Sequence, residues 1–133
     1  MDDNSDKKVD MRPISYDRSR RKYIYIDDVF AGKEKIIPVD NLSRKDQKKL
    51  VIKRLKAENP KTKSQPMTGS SLTRDELIEA VKNDEPYGIM QMEIQLNYLG
   101  NFLGAIQSYL ESKPEAPDFE DFIKEFYPKY QAR

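Results

Sequence analysis

The stretch "EPYGIMQMEIQLNYLGNFLGAIQSYLESKP", Glu85 to Pro114, decides the fold. Within it Ile89, Met92, Leu96, Leu99, Leu103, Ile106 and Leu110 recur at alternating intervals of three and four, an a/d register held for three heptads. A second row, Met90, Ile94, Tyr98, Ala105 and Tyr109, widens the apolar face beyond a coiled-coil seam. Pro86 suits the first turn of a helix over about 87–112, and Pro114 and Pro117 end it. Gln91, Glu93, Gln95, Asn97, Asn101 and Gln107 keep this helix out of a bilayer. Gly100 and Gly104 share a face, and each costs roughly 1 kcal/mol relative to Ala in a helix interior. At that spacing they let another backbone come close.

The flanks of this helix are shorter. Downstream, Asp118 is placed to cap a last helix carrying Phe119, Phe122, Ile123 and Phe126, with Pro128 expected to stop it. Upstream, Thr73 and Glu76 have capping-box spacing, with Leu72 and Leu77 at the two staple positions. The helix they start, about 74–84, presents Leu77, Ile78 and Val81 before "NDEPYG" breaks it. Two such short helices cover little of a 26-residue helix about 39 Å long. Part of its face is therefore expected to meet another chain, which assigns Ile89, Met92, Leu96, Leu99, Gly100, Leu103, Gly104, Ile106 and Leu110 to a protein interface.

Further towards the N-terminus the chain changes character. "NPKTKSQPMTGSS" (59–71) reads as a linker, and "NLSRKDQKKLVIKRLKAENP" before it as a basic helix capped by Ser43. "KYIYI" and "KIIPV" are rich in β-branched and aromatic residues, and a hairpin pairing roughly 22–27 with 34–39 fits, with Gly32 free to take positive φ. Residues 1–22 are polar with isolated apolar points, which predicts a flexible basic arm. The expected fold class is mainly α with a small β-hairpin: arm 1–22, hairpin plus basic helix 23–58, linker 59–71 and a helical interaction module 72–128.

Composition bounds the chemistry. The 133 residues allow one modest domain, with 37% apolar and 35% charged residues. Cysteine and histidine are both absent, which removes disulfides, Cys/His zinc sites, the thiol nucleophile and the usual neutral-pH general base. No catalytic residue, metal ligand or cofactor is assigned. The charged start "MDDNSDKK" has no apolar h-region after it, so an intracellular, cytoplasmic protein is expected. Net charge is only +1, but residues 1–66 hold 18 Lys/Arg against 11 Asp/Glu, and residues 67–133 hold 6 against 12. A basic front and an acidic back point to distinct partners or head-to-tail attraction.

Two clusters compete for a functional reading. Tyr25-Ile26-Asp27-Asp28 resembles the Tyr-x-Asp-Asp box of reverse transcriptases, whose carboxylates hold catalytic metal. Such a site needs a third Asp from an earlier strand, and only 24 mostly polar residues precede Tyr25. Adjacent Asp residues also point to opposite faces of a strand, so Asp27-Asp28 are read as the start of a hairpin turn. The second cluster is basic: Arg18, Arg20, Arg21, Lys22 and Tyr23, with Lys45, Lys48, Lys49, Lys53 and Arg54 on the helix 44–56. These residues suit phosphate or an acidic protein surface. The leading reading is a non-enzymatic protein–protein interaction protein, an assembly subunit, adaptor or antitoxin-like inhibitor, joining another protein or its own copies. The alternative is a nucleic-acid-binding regulator that dimerises through its C-terminal helices. No membrane partner is expected.

Overall fold

In the computed structural model the chain is mainly helical with one small hairpin and a two-residue ladder. It describes residues 10–58, 63–64, 72–113, 115 and 117–131, the backbone alone for 63–64 and 126–131. In chain order the elements are the hairpin β1 (Ser15–Asp17) and β2 (Lys22–Ile24), a short helix α1 (Ile26–Phe30), a 3-10 turn (Val39–Asn41) and α2 (Arg44–Lys56). The ladder β3 (Lys63–Ser64) and β4 (Leu72–Thr73) leads into α3 (Arg74–Lys82), α4 (Pro86–Ser112) and α5 (Phe119–Gln131). The linker and the first nine residues of the arm lie outside the described residues, apart from that ladder.

The helices begin and end as local chemistry dictates. Ser43 accepts the Asp46 N–H at the start of α2, and Thr73 and Glu76 complete the capping box of α3. Pro86 occupies the first turn of α4. At the end of α3 the Glu85 N–H bonds to Ala80 O (3.0 Å) and the Asp84 N–H to Val81 O (3.3 Å), with Asp84 at φ 54°. This is a Schellman ending, and it turns the chain straight into α4. Gly88 makes that corner possible: a Cβ there would lie 2.1 Å from Ala80 O.

The hairpin lies one segment earlier than the sequence pattern places it. Tyr16 pairs with Tyr23, and residues 34–39 form no strand. "IDDVF" is instead helical, because Ile26, Val29 and Phe30 stand at i, i+3 and i+4 and reach the core together. Gly32 does take positive φ (78°), but just past the Ala31 C-cap of α1. There the Lys33 N–H reaches Asp28 O (2.9 Å) and the Gly32 N–H reaches Val29 O (3.1 Å). Phe30 then stacks among Tyr109, Phe119 and Phe122.

Three further expectations are corrected. Residues 10–22 are not a free arm: Ile14, Ser15 and Tyr16 are buried, and the Ser15 hydroxyl donates to Ile37 O. Pro128 falls within α5 and does not stop it, since a proline removes one backbone donor and kinks a helix without always ending it. The third correction concerns α4. Met92, Leu99, Leu103 and Ile106 are buried by the chain itself. Met92 joins Val51, Leu55, Leu77, Ile78 and Val81 in a core shared with α2 and α3. Leu99, Leu103 and Ile106 join Ile14, Ile24, Ile26, Val29, Leu50 and Phe122. The short flanking helices are not the only cover, because α2 and the N-terminal segment also pack on its buried face.

Candidate functional site

Among the described residues no three carboxylates come close enough to share a metal ion. Asp27 and Asp28 occupy the first turn of α1, where carboxylates complement the helix dipole. Two surfaces formed by the described side chains bear on the expected partner contacts.

The first surface is basic, built from the hairpin turn and α2. Its cations divide by what they touch. Arg20 bonds Asp17 (2.7 Å) and Glu34, and Lys22 bonds Glu34 (2.7 Å). Those hydrogen bonds, Arg20 first, hold the Glu34 carboxyl below its ordinary range. Lys48 bonds Asp84 (3.0 Å) and the carbonyl of Lys82 (3.2 Å). Arg54, expected on this surface, is completely buried. Its guanidinium donates to Asp10 Oδ2 (2.7 Å), Gln95 Oε1 (2.8 Å) and Pro13 O (2.9 Å). Arg12 grips the same Asp10 carboxylate. Burial pushes the Asp10 pKa up, but the Arg12 hydrogen bond and the Arg54 and Arg12 charges outweigh it and bring it to about 2.

The remaining basic residues are different. Among the described residues Arg21, Lys45, Lys49 and Lys53 meet no carboxylate, and Arg18 has only Asp46, at 3.9 Å. Tyr16 and Tyr23 pack together at 5.0 Å, and the Lys49 and Lys53 ammonium groups lie over their rings at 5.3 and 5.4 Å. The tyrosines thus hold lysines in place instead of offering open faces for stacking. Arg21 takes φ 55° in the turn, a conformation that costs a non-glycine residue about 1 kcal/mol. Arg18, Arg21, Tyr16, Lys45, Lys49 and Asp46 line an open surface pocket of about 310 Å³.

The second surface is the outward edge of α4. Of the residues expected at a protein interface, Met92, Leu99, Leu103 and Ile106 face the core, and Leu96 and Leu110 are half-buried. Ile89, Gly100 and Gly104 remain exposed. Gly100, Leu103, Gly104 and Gln107 form one wall of a mostly apolar groove of about 300 Å³ whose other wall is Ile36, Pro38, Val39 and Asp40. Unlike Gly88, Gly100 and Gly104 have no neighbour among the described residues within 4 Å of where a Cβ would stand.

Sequence reasoning missed Asp10, Gln95 and Asp46. For Arg54 a signal existed, since it lies four residues after Leu50 and three after Val51, on the buried stripe of α2. Nothing local in the sequence joins Asp10 to it across 44 positions. No helix among the described residues is long and apolar enough to cross a membrane. The chain matches no protein-family model, no curated protein and no solved structure.

Proposed function

We propose that this chain is a non-enzymatic interaction protein, an assembly subunit, adaptor or antitoxin-like inhibitor, that receives a partner helix in the groove beside Gly100 and Gly104. The observation that carries this reading is the pair of glycines. Each weakens α4 by roughly 1 kcal/mol relative to Ala, and neither relieves a contact among the described residues, because a Cβ at either would meet none of them within 4 Å. A helix notched at i, i+4 accepts a close-crossing helix that alanine side chains would hold away. The facing wall, with half-buried Ile36 and exposed Pro38, supplies apolar surface for that helix to bury.

The test uses opposite signs. Gly100→Ala with Gly104→Ala stabilises the isolated chain by about 1–2 kcal/mol in total, read by urea unfolding. The same pair weakens association, read by light scattering for self-assembly and by quantitative co-purification for a second protein. A variant both more stable and fully associated removes the groove from the interface. Gly104→Leu, which fills the notch, abolishes association if the reading holds.

A further inference from the structure

We infer that the pocket between the hairpin turn and the first half of α2 takes one residue of a single-stranded nucleic acid, with its phosphates on Arg18, Arg21, Lys45 and Lys49 and a donor of its base or sugar on Asp46. This inference does not depend on the α4 groove. Two observations meet at the pocket. One is the sorting of charges: Arg20, Lys22, Lys48 and Arg54 are each neutralised by a carboxylate at 3.0 Å or closer. Of the four pocket cations, three have no carboxylate among the described residues, and Arg18 has one only at 3.9 Å, with its side chain 75% exposed. The other is Asp46 itself. It is 4% exposed, and its Oδ2 has no hydrogen-bond partner among the described residues. Its part in the Ser43 cap uses its backbone N–H, which leaves the carboxylate, placed in the first turn where it complements the helix dipole, outside the cap's hydrogen bonds.

A ligand for this pocket must satisfy a buried acceptor at the base and four cations around it. A bare anion meets the cations but is repelled by Asp46. A simple amine suits Asp46 but is repelled by the cations. An acidic peptide side chain carries its charge at the tip, which would put carboxylate against carboxylate. A nucleotide has the opposite arrangement, with N–H and O–H donors on the base edge and sugar and the charge on the phosphates behind. Arginine forks match phosphate oxygens, and Lys45 and Lys49, one turn apart on α2, stand about 6 Å apart along its axis. A volume of about 310 Å³ has room for a splayed base. A base stacked in a duplex cannot present its edge to a carboxylate so deeply set, which selects the single strand.

The test is fluorescence anisotropy of the full chain with a short mixed-sequence single-stranded RNA and its DNA equivalent. The competitors are the matching duplex, inorganic polyphosphate and a poly-glutamate peptide. Single strands are expected to bind at least about tenfold more tightly than any competitor. Lys45→Gln with Lys49→Gln, both at exposed positions, lowers that affinity and reduces the salt slope by about 1.4. Asp46→Asn lowers single-strand affinity relative to polyphosphate by about tenfold. Tighter binding of every polyanion by Asp46→Asn would show that Asp46 merely opposes anions, and would overturn the assignment. Equal binding of duplex and polyphosphate, preference for poly-glutamate, or no saturable binding at low salt would each overturn it as well.

Discussion

Asp10→Asn separates the buried charge network from ordinary packing. The substitution keeps the shape of the side chain but leaves the Arg54 guanidinium, completely buried, without its carboxylate at 2.7 Å. Breaking a buried pair from one side costs about 3 kcal/mol or more, because the stranded charge cannot return to water. That is a large share of the roughly 5–15 kcal/mol that holds a domain folded. Urea unfolding followed by circular dichroism at pH 7 should show the midpoint lowered by about 1–3 M. In an Arg54→Met background the same substitution should cost only about 1 kcal/mol, since Arg12 remains as its partner. The pH dependence carries the same signature. The folded-state pKa of Asp10, about 2, lies below its ordinary 3.8. Its contribution is therefore fully present above about pH 4 and is lost as pH falls through 2. The shift corresponds to about 2 kcal/mol, and Asp10→Asn should lack that part of the acid loss while keeping the part due to Glu34 and Asp121, whose pKa values are also lowered. A cost below about 1 kcal/mol, or an equal cost in both backgrounds, would refute the coupling of Asp10 to Arg54.

Two other substitutions test the corners of the fold. Gly88→Ala places a Cβ 2.1 Å from Ala80 O, which is backbone and cannot swing aside. It should destabilise by about 2 kcal/mol or more in thermal unfolding, opposite in sign to alanine at Gly100 or Gly104. A wild-type melting temperature would mean that α3 and α4 do not approach closely at this point. Thr73→Ala removes the side-chain half of the α3 capping box and should cost about 1 kcal/mol. Hydrogen exchange should then quicken in the first turn of α3 while the centre of α4 keeps its relative protection.

Much of the helical architecture was legible locally. Ser43, Thr73 with Glu76, and Pro86 mark helix starts, and each signal acts through backbone groups within three residues. The heptad spacing of α4 identified Met92, Leu99, Leu103 and Ile106 as buried, but it also took in Ile89, which is exposed, and passed over Phe102, which is fully buried. The candidate surfaces were legible only in part. Gly100 and Gly104 could be seen to share a face, and the Arg18–Lys22 cluster could be seen to be basic.

What covers a face is a different matter. Whether Leu99 and Ile106 meet a partner or Ile14 and Ile24 depends on contacts across 75 to 92 positions, and an apolar stripe looks the same in either case. "IDDVF" was ambiguous for a related reason: five residues are too few for periodicity to separate strand from helix, and the aromatic group around Phe30 decides it. Charge followed the same rule. Arg54 and Lys49 are both basic residues on one helix, yet Asp10 and Gln95 take the first inside while the second stays on the surface over Tyr16. The sequence by itself determined where α2, α3 and α4 start and most of the stripe that α4 buries, since those depend on near neighbours. Only the tertiary structure decided which cations are neutralised and which faces stay open, since burial and pairing depend on what the rest of the chain brings within a few ångströms.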